Sequence, residues 1–358
     1  FVFSIDIPSG IEGNSGQVLG SAVMADLTLT LALPKIGLLL YPGRGYVGEL
    51  SMGDVGYPRS LVENFESSLE LVEAEWIRAN LPERRPDGHK GDFGRVLVIA
   101  GSQGMTGAAR LTAKAALRAG AGLVYLAHPA SLSSAIESKL TEVVKLPMPD
   151  SDGALTAHSL SSLEKALTSK TVVAIGPGLS QNAQIATLLN RLLPKLKIPT
   201  VLDADGINNL SDISVLSEKK LKAPLVLTPH AGELARLLGK TREEIEAHRV
   251  EIAEQTAKEL GVTLVLKGAP TITAWPDGKI FVNSTGNSGL ASGGSGDVLT
   301  GLIVGLIAQG MDVPQAAVAG VYLHGRTADA LKKKLGERGM IASDLIRYLP
   351  KTLRELEC

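Results

Sequence analysis

Ten consecutive residues, Leu290-Ala291-Ser292-Gly293-Gly294-Ser295-Gly296-Asp297-Val298-Leu299, have the composition of a phosphoryl-transfer site. Glycine and serine let the backbone turn tightly and aim successive N–H groups into one concavity. The apolar run from Val298 to Gln309 reads as a helix, whose N-terminal end adds positive potential to that concavity. Gly293, Gly294, Ser295 and Gly296 are therefore candidates for an anion hole. Asp297 stands where a carboxylate could take the proton of an attacking hydroxyl. At a helix start such a carboxylate is expected to stay ionised and to be a weak base. That suffices, because a loose phosphoryl-transfer transition state asks little of the base.

The elements that must position this turn begin at Lys90, where a regular α/β alternation sets in. Strands are expected at Arg95–Ala100, Gly122–Ala127, Val172–Ile175, Pro199–Asp203, Leu225–Thr228 and Thr263–Lys267. Helices are expected at Gly107–Ala119, Asn182–Leu193, Gly232–Leu238 and Arg242–Leu260. Thr271–Trp275 and Lys279–Asn283 flank Pro276-Asp277-Gly278 as a hairpin, and three helices close the chain. Apolar strands alternating with helices predict an α/β fold, a mainly parallel sheet covered on both faces. Ligands bind such a sheet at the carboxyl ends of its strands. The loops there are Gly101–Gly107, Gly176-Pro177-Gly178, Asp203-Ala204-Asp205-Gly206, Thr228–Glu233 and Lys267–Thr271. Singly, each has a bland reading: a turn, a helix cap at Asp203 or Asp205, a structural histidine at His230, a solvated strand end at Lys267. Together with the anion hole they converge on one sheet edge.

The bulk composition bounds the function. The chain has 358 residues, 44% hydrophobic and 20% charged, with a net charge of −1, as in an ordinary globular protein of about two domains. Nothing in that balance points to nucleic acid or membrane partners. One cysteine, Cys358, excludes a disulfide framework, fits a reducing cytoplasm and reads as an inert terminal residue. The chain opens without methionine, inside the strand-like run Val2–Asp6, and is expected to be part of something longer. Further strands are expected at Ala25–Leu33 and Glu49–Val55, too little for a core of ordinary size. Residues 58–89 read as a linker, with a charged helical stretch at Leu61–Asn80. Gly43-Arg44-Gly45-Tyr46-Val47-Gly48 matches G-x-G-x-x-G but leads into strand-like residues, so it is a decoy for a dinucleotide fingerprint.

The motifs after Lys90 carry a specific resemblance. KGDFGRVLVIAGS (90–102), GAGLVYLA (120–127), GPGLS (176–180), LDADGIN (202–208), LTPHAGELARLL (227–238), VLKGAPT (265–271), NSTGNSGLASGGSGDVLTG (283–301) and YLHG (322–325) are similar, in order, to the ADP/ATP-dependent NAD(P)H-hydrate dehydratases. That family is a branch of the ribokinase-like superfamily, with a three-layer α/β/α fold. It usually has threonine where Ser295 stands and often proline at Ala231, both mild departures. Residues 1–57 resemble the last part of an NAD(P)H-hydrate epimerase domain, a Rossmann-like unit, through Ser4-Ile5-Asp6-Ile7-Pro8-Ser9-Gly10 and Leu33-Pro34-Lys35-Ile36-Gly37. The epimerase's glycine- and asparagine-rich phosphate loop is not among these residues. The domains implied are 1–57, a linker at 58–89 and the dehydratase at 90–358.

The resemblance implies repair of reduced nicotinamide nucleotides hydrated at ring carbon C6. It places Asp297 as catalytic base; Ala108, Gly178, His230 and Asp297 on the hydrate; and Lys267, Gly268, Ala269, Pro270, Thr271 and Gly296 on the nucleotide. Asp203 and Asp205 would organise the site. In the N-terminal part, Asp6 would contact the hydrate and Ser9 would bind potassium; a strand end with a turn cap is the alternative for both. The co-substrate implied is ADP or ATP with magnesium, and the partners are small molecules and, by family analogy, further copies of the same chain. A ribokinase-like kinase for a vitamin precursor shares the Gly-Asp turn but releases a stable phosphorylated product. An inert nucleotide-binding scaffold is opposed by the intact turn and Asp297.

Overall fold

Strands such as Val172–Ile175, Leu225–Leu227 and Thr263–Leu266 are buried at every residue, which requires a sheet with both faces covered. The computed structural model describes residues 1–210, 212–216 and 221–357, and Cys358 lies outside them. It divides into two units, Phe1–Glu70 with Gly268–Pro270, and Leu71–Lys267 with Thr271–Cys358. Across the large sheet the strands run Leu69–Leu71, Ile280–Asn283, Thr271–Ala274, Thr263–Leu266, Leu225–Leu227, Thr200–Leu202, Val172–Ile175, Arg95–Ile99, Leu123–Pro129 and Val144–Met148. From Thr263–Leu266 to Val144–Met148 all pairs are parallel. Thr271–Ala274 and Ile280–Asn283 form the expected antiparallel hairpin.

The parallel part of this sheet starts at Arg95–Ile99 and runs outward through Leu123–Pro129 to Val144–Met148. The chain then returns to Val172–Ile175 on the other side of Arg95–Ile99 and continues in the opposite direction. The reversal opens a crevice between the carboxyl ends of Arg95–Ile99 and Val172–Ile175. Two helices aim their N-termini at the functional residues: Thr106–Arg118, from the first of these loops, and Ser295–Ala308, from the glycine-rich turn. Every residue from Val298 to Ala308 is buried, as a helix apolar on all sides must be. The two helices approach backbone to backbone. A Cβ at Gly301 would stand 2.6 Å from the Ala115 Cβ, and one at Gly305 2.7 Å from the Ala116 carbonyl oxygen. This close packing fixes the distance between the two N-termini.

Local sequence explains where the elements differ from expectation. The helix expected over Arg242–Leu260 breaks at His248 (φ −130°, ψ 44°) into Arg242–Ala247 and Arg249–Leu260. The stretch Leu61–Asn80 is a helix at Arg59–Glu63, a strand at Leu69–Leu71 and a helix at Ala74–Asn80, with Ser67 exchanging hydrogen bonds with Leu69 in between. Val144–Met148 was not expected as a strand, because Lys145 and Pro147 disrupt its pattern; it lies at the sheet edge, where proline is tolerated.

The first unit contains a parallel sheet in the order Phe3–Ile5, Leu27–Leu31, Glu49–Gly53. Gly43–Tyr46, inside the decoy motif, is a 3-10 turn leading to a strand rather than to an α-helix. Among the described residues no helix is long and apolar enough to cross a membrane.

The helix pair yields a test. Alanine is a better helix former than glycine by about 1 kcal/mol. At Gly301 the added methyl would overlap the Thr112 carbonyl and Ala115. G301A is therefore expected to lower stability, by about 1–3 kcal/mol net, in chemical denaturation. A stabilised variant would contradict this packing.

Candidate active site

Asp203, 1% exposed at the end of Thr200–Leu202, accepts three hydrogen bonds. Lys267 Nζ and Thr228 Oγ1 donate to its Oδ1 at 2.8 Å each, and Thr300 Oγ1 to its Oδ2 at 2.7 Å. Lys267 and Thr228 stand at the ends of neighbouring strands, and Thr300 lies on the helix Ser295–Ala308. A bridge pairs Lys267 with His230, and the Lys267 N–H donates to the Pro229 carbonyl at 2.9 Å. Burial works to lower the ammonium pKa of Lys267. The carboxylates of Asp203 and Glu233, the latter at 3.7 Å, outweigh it and hold that pKa above its usual range.

The glycine-rich turn meets this cluster. Gly294 is left-handed (φ +89°), and its Cβ would stand 3.8 Å from Asp297 Oδ2. The helix begins at Ser295, three residues earlier than expected, so Asp297 sits inside its first turn. The Ser295 N–H donates to Ser292 at 3.3 Å; the N–H groups of Gly296 and Asp297 have no backbone partner among the described residues. A Cβ on Gly296 would lie 3.5 Å from Lys267 Nζ, so the ammonium faces the open end of the helix. Two positive elements, the helix N-terminus and Lys267, thus converge beside one carboxylate.

That carboxylate differs from expectation. Burial, and after it the charge of Asp203, push Asp297 up to about 7, against the pull of Lys267 and with a smaller push from Asp205. The helix dipole alone would make Asp297 a weak base. Burial in the assembled fold, with the charge of Asp203 added to it, makes Asp297 a base poised near neutrality.

The remaining residues group as follows. Gly178 (φ +62°) packs so closely that its Cβ would lie 3.1 Å from that of Ala108, joining the two loops of the crevice. Ser102 Oγ donates to the Gly178 carbonyl at 2.9 Å. Asp205 secures the same loop by accepting from the Ser180 N–H at 2.9 Å and Gln181 Nε2 at 3.1 Å. His230 caps the helix Ala231–Leu238: its Nδ1 accepts from the N–H groups of Gly232 and Glu233, while Glu233 Oε2 accepts from the His230 N–H. The His230 side chain is 57% exposed, and its Nε2 lies 3.6 Å from Glu233 Oε1. Gly268, Ala269 and Pro270 group with the first unit and Thr271 opens the next strand.

Four contributors were not singled out from sequence: Thr228, Glu233, Thr300 and His324. Glu233 had a readable signal, the cap spacing His230-x-x-Glu233. His324, buried on the helix Val313–Leu335, has Nε2 3.2 Å from Ser295 Oγ. Burial holds its imidazole down at about 4, so it is neutral near pH 7. Ser295 keeps the hydroxyl that a threonine there would also supply.

In the first unit, Asp6 (φ +66°) accepts from Lys35 Nζ and, at 3.0 Å, from the Leu31 N–H. Burial works to raise its carboxyl, but these donors outweigh it and hold it below the usual range. The motifs around Asp6 and Lys35 thus meet in space. Ser9 is exposed, and its carbonyl accepts from the Val23 N–H at 2.9 Å.

Residues 96–351 match the family model described as NAD(P)H-hydrate dehydratase, and residues 1–37 match that of the YjeF-related protein N-terminus. The chain is similar to a bifunctional NAD(P)H-hydrate repair enzyme of Moorella thermoacetica, 46% identical over 99% of this chain and 67% of that protein. A protein of the same description from Thermofilum pendens is 41% identical over 99% and 67%. The chain thus spans about two thirds of the length of these relatives. Among solved structures it is similar to an ADP/ATP-dependent NAD(P)H-hydrate dehydratase of Bacillus subtilis co-crystallised with ATP and magnesium. That match has TM-score 0.70 and 33% identity, covering 80% of this chain and 98% of that one.

Asp297 generates a stability test. Its pKa rises from an ordinary 3.8 to about 7 on folding, so ionisation opposes the folded state. The contribution is intact below about pH 4 and is lost as pH rises to about 7. Relative to D297N, the wild-type protein is expected to lose on the order of 2 kcal/mol between about pH 4.5 and pH 8. Parallel pH–stability curves for the two proteins would contradict the assignment.

Proposed function

The chain belongs to the NAD(P)H-hydrate dehydratase family, and from that premise we propose how its own residues carry out the repair. The protein is an enzyme of NAD(P)H-hydrate repair that uses ADP or ATP. The S hydrate is the substrate of the dehydratase site, and interconversion of the R and S forms belongs to a full N-terminal epimerase domain, of which residues 1–57 resemble only the last part. The observation that carries the reading is Asp297, held near neutrality inside the first turn of a helix, beside free N–H groups and Lys267.

The hydroxyl oxygen at C6 attacks the terminal phosphorus while Asp297 takes its proton. The bond to the departing AMP or ADP breaks, and the hydroxyl becomes a phosphate ester. The ring-nitrogen lone pair then expels inorganic phosphate, and loss of a proton from the adjacent ring carbon restores the reduced nicotinamide. Of the Gly293–Gly296 turn proposed as the anion hole, the Ser295 N–H already donates to Ser292, so the remaining N–H groups, with that of Asp297, hold the equatorial oxygens, each well-placed donor contributing about 3–4 kcal/mol. Ala108, Gly178 and His230 bind the hydrate; the nucleotide lies along Lys267–Thr271 and Gly296. We favour ADP as donor on the fused, prokaryotic-looking arrangement of the chain.

Magnesium fits as an ion that arrives with the nucleotide. Among the described residues no three His, Cys, Asp or Glu side chains form a ready-made site. Mg2+ takes one or two carboxylates and completes its shell with phosphate oxygens and water. Asp205, close enough to Asp297 to raise its pKa, would supply such an oxygen. Bound there, the ion would neutralise phosphate charge. In the N-terminal unit, Asp6 would contact the hydrate, and Ser9 would contribute an oxygen to potassium.

Incubation of purified hydrate with ADP or with ATP tests this reading. Return of the near-ultraviolet absorbance of reduced nicotinamide, with AMP or ADP formed, is expected; a stable phosphorylated product would identify a kinase instead. D297N is expected to bind nucleotide with affinity close to wild type and to convert hydrate about 1,000-fold more slowly. Near wild-type turnover would remove Asp297 from the role of base.

A further inference from the structure

We propose that Asp203 is a positioning residue for phosphoryl transfer: it holds the Lys267 ammonium at the mouth of the anion hole, and Thr300 locks that arrangement to the helix that carries Asp297. The inference rests on the reading of the site as a phosphoryl-transfer centre.

Lysine has a long, flexible stem and three rotatable donors, so its charge is placed only by what it touches. Here one donor goes to Asp203 at 2.8 Å, while Glu233 stands at 3.7 Å, beyond hydrogen-bond reach. Two N–H groups remain for a phosphoryl group on the side facing Gly296. Asp203 is 1% exposed, away from solvent. Its three partners all donate, and two of them, Thr228 and Thr300, are fully buried.

Thr300 follows Asp297 by three residues, so both lie on one face of the helix. A shift of that helix would move the base and, through the Thr300–Asp203–Lys267 chain, the cation with it. Base and cation therefore keep their spacing. Simple packing would ask only for an apolar side chain at 300, since a buried ion pair adds little net stability compared with hydrophobic residues.

The test uses the full chain, with hydrate and nucleotide both varied, and thermal unfolding as the check on folding. T300V, which keeps shape but removes the donor, is expected to lower kcat/KM for the nucleotide about tenfold, and T300S to restore it to within about threefold of wild type. D203N is expected to cost about 100-fold or more. The charged groups facing Asp297 are Asp203, Lys267 and Asp205, so removing the Asp203 charge should move the acid limb of the kcat–pH profile to lower pH. T300V and T300S both at wild-type efficiency, or a folded D203N with an unmoved acid limb, would overturn the proposal. If D203N does not fold, the valine–serine comparison decides. Wild-type protein without nucleotide-dependent conversion would refute the underlying reading instead.

Discussion

A carboxylate removed from water must find donors, and Asp203 finds them on a neighbouring strand end, on the strand beyond it and on a helix. This single requirement organises the catalytic edge of the sheet. It draws Lys267 inward, ties the helix Ser295–Ala308 to the strand ends and leaves the ammonium facing the open first turn of that helix. The negative charge of Asp203 has a second effect, since it helps raise Asp297 to about 7. The position of the cation thus follows from one buried group, which also adds to the rise that burial gives the Asp297 pKa.

The second constraint is steric. Gly301 and Gly305 let the helix Ser295–Ala308 lie against the backbone of Thr106–Arg118, and Gly178 lets the neighbouring loop close on Ala108. Side chains at these points would push apart the two helices and the two loops of the crevice. The reversal of strand order between Arg95–Ile99 and Val172–Ile175 opens the crevice, and these glycines set its width. Packing and chemistry are therefore coupled through glycines that never touch the reacting atoms.

Much of this was legible in the sequence. Continuous apolar runs marked the buried parallel strands, because burial on both faces erases the polar alternation of an exposed sheet. The glycines of the Gly293–Asp297 turn were legible as a tight turn into a helix, which the left-handed Gly294 and the helix start at Ser295 bear out. The edge strand Val144–Met148 was not legible, because Lys145 and Pro147 obey the rules of an edge rather than of a core. Thr228 and Thr300 were invisible for a different reason. A buried threonine in an apolar run looks like a strand or helix filler until a carboxylate from elsewhere in the chain is placed beside it. The basicity of Asp297 was not legible on the same ground: the helix dipole is local and readable, whereas burial and, after it, the charge of Asp203 arrive through the fold.

The family relationship gives the overall reaction, and the geometry gives a reason for its order. A hydroxyl is a poor leaving group; in the proposed site Asp297 would take its proton and the glycine-rich turn would hold the phosphoryl group that converts it into a good one. Phosphoryl transfer is thus the first half of a dehydration. The most direct measurement follows the oxygen itself, in hydrate carrying isotopically heavy oxygen at the C6 hydroxyl and converted with unlabelled nucleotide. Transfer through a phosphate ester places the label in the inorganic phosphate released. Label in water, with unlabelled phosphate, would contradict the account.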